Sequence, residues 1–334
     1  MKDNNNIKII KHKQKVLVGS SSLSFYDQKN HDRTAFMVEN MSHNKAYLYA
    51  LKGDINADKD KLLNTFQERY KKYRHSWHEQ PKRCIAESNF GVELLKSGYS
   101  PLCIDIEVAS VCDLACPFCF RESIATPDKI MSFKLFKKIV DQAVEMGVPS
   151  IKLNWRGEPL MHPKLYLMIE YAKKKGILET IINTNATHLT PKISRKLIDS
   201  GLDFMIYSFD GGTKETYEKM RPGRFKENNF DSVYRNIVNF SKIKKEMGAK
   251  FPSTKIQMIL TKDTVDEKDS FFDMFSDYID DVSLSQYTDR GGDIKDLNHE
   301  DEIKYKKKLK ETNLPYGSNY MKDLYGNISI STGR

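Results

Sequence analysis

The stretch Pro101-Leu-Cys-Ile-Asp-Ile-Glu-Val-Ala-Ser-Val-Cys112-Asp-Leu-Ala-Cys116-Pro-Phe-Cys119 is an apolar strand that runs directly into three cysteines. Their spacing, C-x3-C-x2-C, suits a [4Fe–4S] cluster. Such clusters are usually held by four cysteines, so three thiolates leave one iron open to a small molecule. The competing reading is a structural zinc site, which closes with four ligands. Between Phe120 and Met161 there is no Cys or His, and the first residue of either type downstream is His162. A disulfide needs an oxidising compartment, to which nothing in the sequence points.

From Pro101 onward, short apolar runs alternate with helical patterns. Strands are expected at Pro101–Val108, Ser150–Asn154, Glu179–Asn183, Asp203–Ser208, Lys255–Leu260 and Asp281–Tyr287. Between them, Ser132 is placed to cap a helix whose Phe136, Ile139, Val140, Ala143 and Val144 follow helical spacing up to Gly147. Pro163 opens a second helix that closes at Gly176. Thr190 caps a third, with Pro191 in its first turn and Gly201 past its end. Two further helices are expected near Asp231–Met247 and Asp266–Tyr278. Six successive βα units predict an α/β fold with a parallel sheet and right-handed crossovers. Six is too few for a closed eight-stranded barrel.

Cys112, Cys116 and Cys119, with Phe118 before the last of them, resemble the signature loop of the radical S-adenosylmethionine (SAM) superfamily. The resemblance runs over roughly residues 101–290 and includes Gly157-Glu158-Pro159, Thr184-Asn185 and Ser208-Phe-Asp210-Gly211. It implies a partial (β/α)6 barrel, a [4Fe–4S] cluster, and SAM chelating the open iron. It also implies cleavage of SAM to a 5′-deoxyadenosyl radical that takes hydrogen from substrate. Within the superfamily, Lys152-Leu-Asn-Trp-Arg-Gly-Glu-Pro-Leu is most similar to members associated with surface-polysaccharide biosynthesis that carry a cysteine-rich C-terminal extension. The resemblance gives Phe118, Gly157, Glu158, Pro159, Thr184, Asn185, Ser208 and Asp210 to the SAM site, with Glu158 on the SAM amine. Arg156 stands where many relatives have another glycine, which puts the backbone freedom of that position in doubt.

Strand parity extends the reading below the rim. Ile104, Ile106 and Val108 share a face suited to helices, so Cys103, Asp105 and Glu107 point into the barrel. The same parity puts Lys152, Asn154, Asn183, Tyr207, Gln257 and Ser285 or Tyr287 inside. Asp105, Glu107, Lys152, Asn154 and Tyr207 are thus candidate substrate-pocket residues. The bland alternative is a buried Lys152–carboxylate pair that fills space. A catalytic residue for the substrate step is not identifiable. Met220-Arg-Pro-Gly-Arg224 is either a surface turn or a loop that meets a carboxylate or phosphate.

Residues 1–100 form a small α+β accessory segment, with a strand-like Lys45–Leu51 and a helix near Asp58–Trp77. In that helix Leu62, Phe66, Tyr70, Tyr73 and Trp77 make a stripe expected to pack rather than bind. Residues 101–290 are the core and 291–334 a C-terminal extension. In the extension a Gly291-Gly292 break precedes a lysine-rich helix near Asn298–Glu311. No cysteine follows Cys119, and the abrupt ending at Arg334 favours a sequence that stops before any auxiliary clusters.

A net charge of +9 with 30% charged residues comes from lysines scattered over helices. Without an arginine-rich arm or aromatic–basic interleaving, nucleic acid is not an expected partner. No signal peptide and no run long enough to span a bilayer are visible, so a cytoplasmic setting is expected. The expected partners are a polar small-molecule substrate, a carbohydrate or sugar nucleotide of surface glycan synthesis, and an electron donor such as flavodoxin or ferredoxin. The alternatives are a peptide-modifying maturase, with residues 1–100 helping to hold the peptide, and a zinc-stabilised binding module.

Overall fold

The computed structural model describes residues 24–25, 32–86, 101–123 and 127–287. The extension expected at 291–334, its helix included, lies outside the described residues.

The sheet is built from β1 (Ser24–Phe25), β2 (Cys103–Asp105), β3 (Ser150–Lys152), β4 (Glu179–Thr184), β5 (Phe204–Ser208), β6 (Ser253–Leu260) and β7 (Asp281–Gln286). Its order is β1-β7-β6-β5-β4-β3-β2. Strands β2 to β7 are parallel and pair in chain order, while β1 adds antiparallel to β7. When strand order follows chain order, right-handed crossovers put every connecting helix on the same face. The other face becomes a lumen, open between β1 and β2, as expected for a partial (β/α)6 barrel.

The connecting helices are α4 (Phe133–Glu145), α5 (Leu165–Lys174), α6 (Pro191–Ser200), α7 (Lys214–Met220), α8 (Phe230–Glu246) and α9 (Lys268–Phe275). Ser132 accepts from Leu135 N and Thr190 from Ile193 N, the caps the sequence predicts. Gly201 has φ +87°, and a Cβ there would lie 2.3 Å from Lys45 Cγ. The short helix α7 is not foreseen by the sequence pattern. Ile106, Val108, Ile151, Leu153, Ile182, Met205 and Tyr207 face the helices and form the main core. Ile104 packs against it.

The N-terminal residues depart from expectation. Lys45–Gly53 is a helix, α2, where a strand was expected, between α1 (Arg33–Glu39) and α3 (Lys59–Ala86). The run Ala46-Tyr-Leu-Tyr-Ala-Leu51 is apolar throughout, and periodicity alone cannot separate a strand from a buried helix in such a run. Asn44 decides it by accepting from Ala46 N, and Tyr47 packs edge-on to Phe66 of α3 at 5.8 Å. The stripe on α3 packs as expected through Phe66, Tyr70 and Tyr73, while Trp77 is 40% exposed. These helices share a core with Leu178 and Phe251 of the barrel.

They also close the lumen from below. Glu179, on β4, receives Arg33 (2.6 Å), Tyr70 Oη (2.8 Å) and Tyr73 Oη (3.1 Å). Burial alone would raise the Glu179 pKa, but the Arg33 and Arg74 charges and the bonds from Arg33 and Tyr70 hold it below the usual value. Arg33 also stacks over Phe204 at 4.0 Å. A second buried carboxylate, Asp203, takes Asn44 Nδ2 at 2.8 Å and Lys173 Nζ at 2.7 Å. No helix among the described residues is long and apolar enough to cross a membrane.

Candidate active site

The loops that follow the parallel strands meet at one rim, and backbone hydrogen bonds join them. Glu158 N donates to Val111 O at 2.9 Å, fixing the loop after β3 to the cysteine loop after β2. Gly157 is required at this crossing, because a Cβ there would sit 2.1 Å from Ala109 O. The segment after α7 runs antiparallel to the cysteine loop, with Leu114 bridged to Gly223, Ala115 N on Pro222 O (2.8 Å) and Arg224 N on Asp113 O (2.7 Å). Arg221–Arg224 is therefore a brace for the cysteine loop, and Arg221 is buried.

Cys112 and Cys119 are half-buried and Cys116 is buried, and none is in a disulfide. Burial, followed by the Glu158 charge, pushes the Cys112 thiol up to about 12. Burial also lifts Cys116 to about 12, against the opposing Arg221 charge. Thiols raised in this way lack the ionisation of a free nucleophilic cysteine. Among the described residues no three His, Cys, Asp or Glu side chains are grouped to hold a single ion. The donor chemistry, three thiols on one loop, fits a [4Fe–4S] cluster, which cysteine thiolates hold.

Glu158 is the hub of the rim. Its carboxylate accepts Thr184 Oγ1 (2.7 Å), Asn185 N (2.8 Å) and Leu160 N (3.0 Å). Burial raises it to about 7, and these three donors only partly offset that. Asn185 Nδ2 continues to Asp113 at 2.8 Å and lies 3.9 Å from Cys112 Sγ. Asp113 also takes Thr187 Oγ1 at 2.6 Å, with His188 Nε2 at 3.4 Å. Burial would raise Asp113, but the bonds from His188, Thr187 and Asn185 bring it to about 2. Asp113, Thr187 and His188 are absent from the sequence reading; the one available signal was an acid directly after the first cysteine.

The remaining SAM-site candidates are placed as follows. Pro159 is buried at the first turn of a short 3-10 helix, and Ser208 is half-buried at the end of β5. Phe118 packs with Met220, Tyr287 and Ile259. Asp210 is fully buried, with Oδ1 on Ile259 N (2.6 Å) and Oδ2 on Arg221 Nη2 (2.5 Å), and so orients Arg221.

The lumen residues separate in the same way. Tyr207 is a correction: it is fully buried on the helix side, edge-on to Phe240 at 6.3 Å. Alternation along β5 gives the lumen to Phe204, Ile206 and Ser208 instead. Asn154 Oδ1 accepts Asn183 N at 2.7 Å and extends the sheet ladder. Glu107 is gripped by Arg156, through Nη2 at 2.7 Å and through its backbone N at 3.1 Å. That position therefore uses an arginine side chain, and Arg156 needs no left-handed backbone. Asp105 and Lys152 are register partners on β2 and β3, exposed and half-buried respectively, and form no ion pair with each other. Among the described residues the buried space-filling pair is thus not formed.

The sequence profile of the Radical SAM superfamily matches residues 106–272, half of the chain. The chain belongs to the radical SAM superfamily. Members of this family are enzymes that work with a [4Fe–4S] cluster and SAM. Among curated proteins, the chain is 26% identical over 202 residues to mycofactocin maturase MftC of Mycolicibacterium smegmatis, covering 60% of this chain and 48% of the relative. It is 33% identical over 133 residues to a probable GTP 3′,8-cyclase of Methanococcus maripaludis, covering 40% of this chain and 43% of the relative. The chain thus spans less than half the length of these relatives. Among solved structures, Streptococcus suis SuiB bound to precursor peptide SuiA matches with a TM-score of 0.53 at 16% identity, over 88% of this chain and 64% of that one. None of these radical SAM relatives is named for surface-polysaccharide synthesis.

Proposed function

We propose that this chain is a radical SAM maturase that modifies a peptide, using the rim for SAM and the open lumen for the substrate segment. When bound, the cluster and SAM supply one-electron cleavage of SAM and abstraction of hydrogen from substrate. In this reading Cys112, Cys116 and Cys119 hold the cluster, and an electron donor such as flavodoxin or ferredoxin serves it. Glu158 takes the SAM amine, while Asn185 and Asp113 hold the β4 loop against the cysteine loop. Phe118 and Ser208 line the nucleoside side, and the Glu107–Arg156 pair fixes the rim over Asp105 and Lys152.

The observation that carries the reaction is the network joining Glu158, Asn185, Asp113 and the cysteine loop into one rigid rim. The peptide assignment is supported by the maturase among the relatives and by the SuiB fold. Sugar hydroxyls would also suit Asp105, Lys152 and the Gln257–Ser285 pair (3.3 Å), but peptide amides suit them equally, and the relatives give the sugar reading no support. The described N-terminal helices spend their apolar faces on the barrel floor, so peptide binding is assigned to the lumen mouth.

The test is deuterium transfer. The reconstituted chain is incubated with SAM and either deuterated peptides encoded by neighbouring genes or deuterated nucleotide sugars. The proposal expects deuterium in 5′-deoxyadenosine from a peptide only. Transfer from a nucleotide sugar alone would overturn the peptide assignment.

A further inference from the structure

Arg221 stands against the cluster ligands. Its side chain is 7% exposed, its Nη2 lies 2.5 Å from Asp210 Oδ2, and its Nη1 lies 4.0 Å from Cys116 Sγ. The guanidinium carbon also sits 5.7 Å from the Phe118 ring centroid, and Nε is buried without a hydrogen-bond partner. Asp210 is anchored in turn by Ile259 N. The pair is therefore a fixed dipole at the base of the cysteine loop, with its positive end toward a cluster thiolate. Hydrogen bonds and buried charge at ligand sulfurs set the potential of an iron–sulfur centre. One added electron makes the cluster more negative, so a nearby cation stabilises the reduced form more than the oxidised one.

We propose that Arg221, oriented by Asp210, is a positioning residue that raises the reduction potential of the cluster held by Cys112, Cys116 and Cys119. The proposal rests on the reading above that these cysteines carry a cluster. The redox step is the transfer of one electron from an external donor to the oxidised cluster. No bond forms or breaks, and no proton moves, because arginine stays charged in both states.

The experiment is a potentiometric titration of the anaerobically reconstituted full chain with dithionite and mediators. It is followed by the EPR of the reduced cluster in the absence of SAM, which separates an effect on the cluster from one on SAM binding. Arg221→Gln is expected to lower the ratio of reduced to oxidised cluster at a fixed potential about tenfold, a shift of about 59 mV for one electron. Arg221→Lys should restore most of that ratio. Asp210→Asn, which removes the counter-charge, should shift the potential in the opposite direction to Arg221→Gln. A purely structural role predicts loss of cluster content with no opposed shifts. Equal potentials in all variants, or shifts of the same sign in Arg221→Gln and Asp210→Asn, would overturn the proposal. If Arg221→Gln holds no cluster, the signs of Asp210→Asn and Arg221→Lys decide it. Opposed shifts in the two variants together with a wild type that never cleaves SAM would overturn the proposed function and leave this inference standing.

Discussion

Asp203→Ala is expected to cost about 3–5 kcal/mol of unfolding free energy, the usual result of removing one partner from a buried ion pair. Lys173 and Asp203 have side-chain exposures of 0% and 1%, with Nζ 2.7 Å from Oδ2. The same carboxylate takes Thr180 N (2.7 Å), Thr180 Oγ1 (2.9 Å) and Asn44 Nδ2 (2.8 Å). Without it, the Lys173 ammonium keeps only Leu178 O at 2.9 Å, in a place where burial already lowers its pKa against the pull of Asp203. Three further donors lose their acceptor, and one of them belongs to the N-terminal segment. Urea unfolding of the two chains measures the difference. The double variant Lys173→Met/Asp203→Asn should lose much less, because no unpaired charge remains. A loss below about 1 kcal/mol for Asp203→Ala, the range of an ordinary single hydrogen bond, would contradict this account of the floor.

Glu158→Gln is expected to weaken SAM binding roughly 10- to 100-fold. A hydrogen bond to a charged group contributes about 1.5–3 kcal/mol, and each 1.4 kcal/mol is a factor of ten. Gln keeps the volume but has one acceptor oxygen, so it can serve either Thr184 Oγ1 and Leu160 N, which share Oε1, or Asn185 N, which donates to Oε2. The fold should survive the lost bond at a cost of about 1–3 kcal/mol. The pH dependence identifies the cause. Burial holds the Glu158 carboxyl at about 7, and an ammonium binds only the ionised form. Below that value a proton must leave before SAM binds, so wild-type affinity should fall about tenfold per pH unit as pH drops. Above it the affinity should level off. The Gln variant should be weak at both ends, without this slope. Equilibrium binding measured on either side of pH 7 decides the matter; parallel profiles for the two proteins would remove Glu158 from the SAM amine.

The barrel is legible in the sequence because its signals are local. Ser132, Thr190 and Gly201 mark helix ends through their own caps and backbone angles, and the apolar strands recur at regular intervals. The two misreadings have tertiary causes. Lys45–Leu51 is apolar on every side, and only the contact with Phe66 and the Asn44 cap make it a helix. Tyr207 was placed by extending the parity of neighbouring strands, yet Ser208 and Tyr207 cannot share a face. At the site, the cysteines and the Gly157-Glu158-Pro159 turn stand out as motifs. Asp113 and His188 do not, and the pairing of Arg221 with Asp210 cannot be read from the two motifs that hold them, because the partners lie 11 to 75 residues apart in sequence and meet only when the loops converge.

Anaerobic reconstitution with iron and sulfide, followed by reduction and EPR with and without SAM, tests the central claim most directly. The account predicts one [4Fe–4S] cluster per chain, lost in Cys116→Ala, whose reduced spectrum changes when SAM is added. Stoichiometric zinc without iron uptake, or a cluster whose spectrum SAM leaves unchanged, would contradict it.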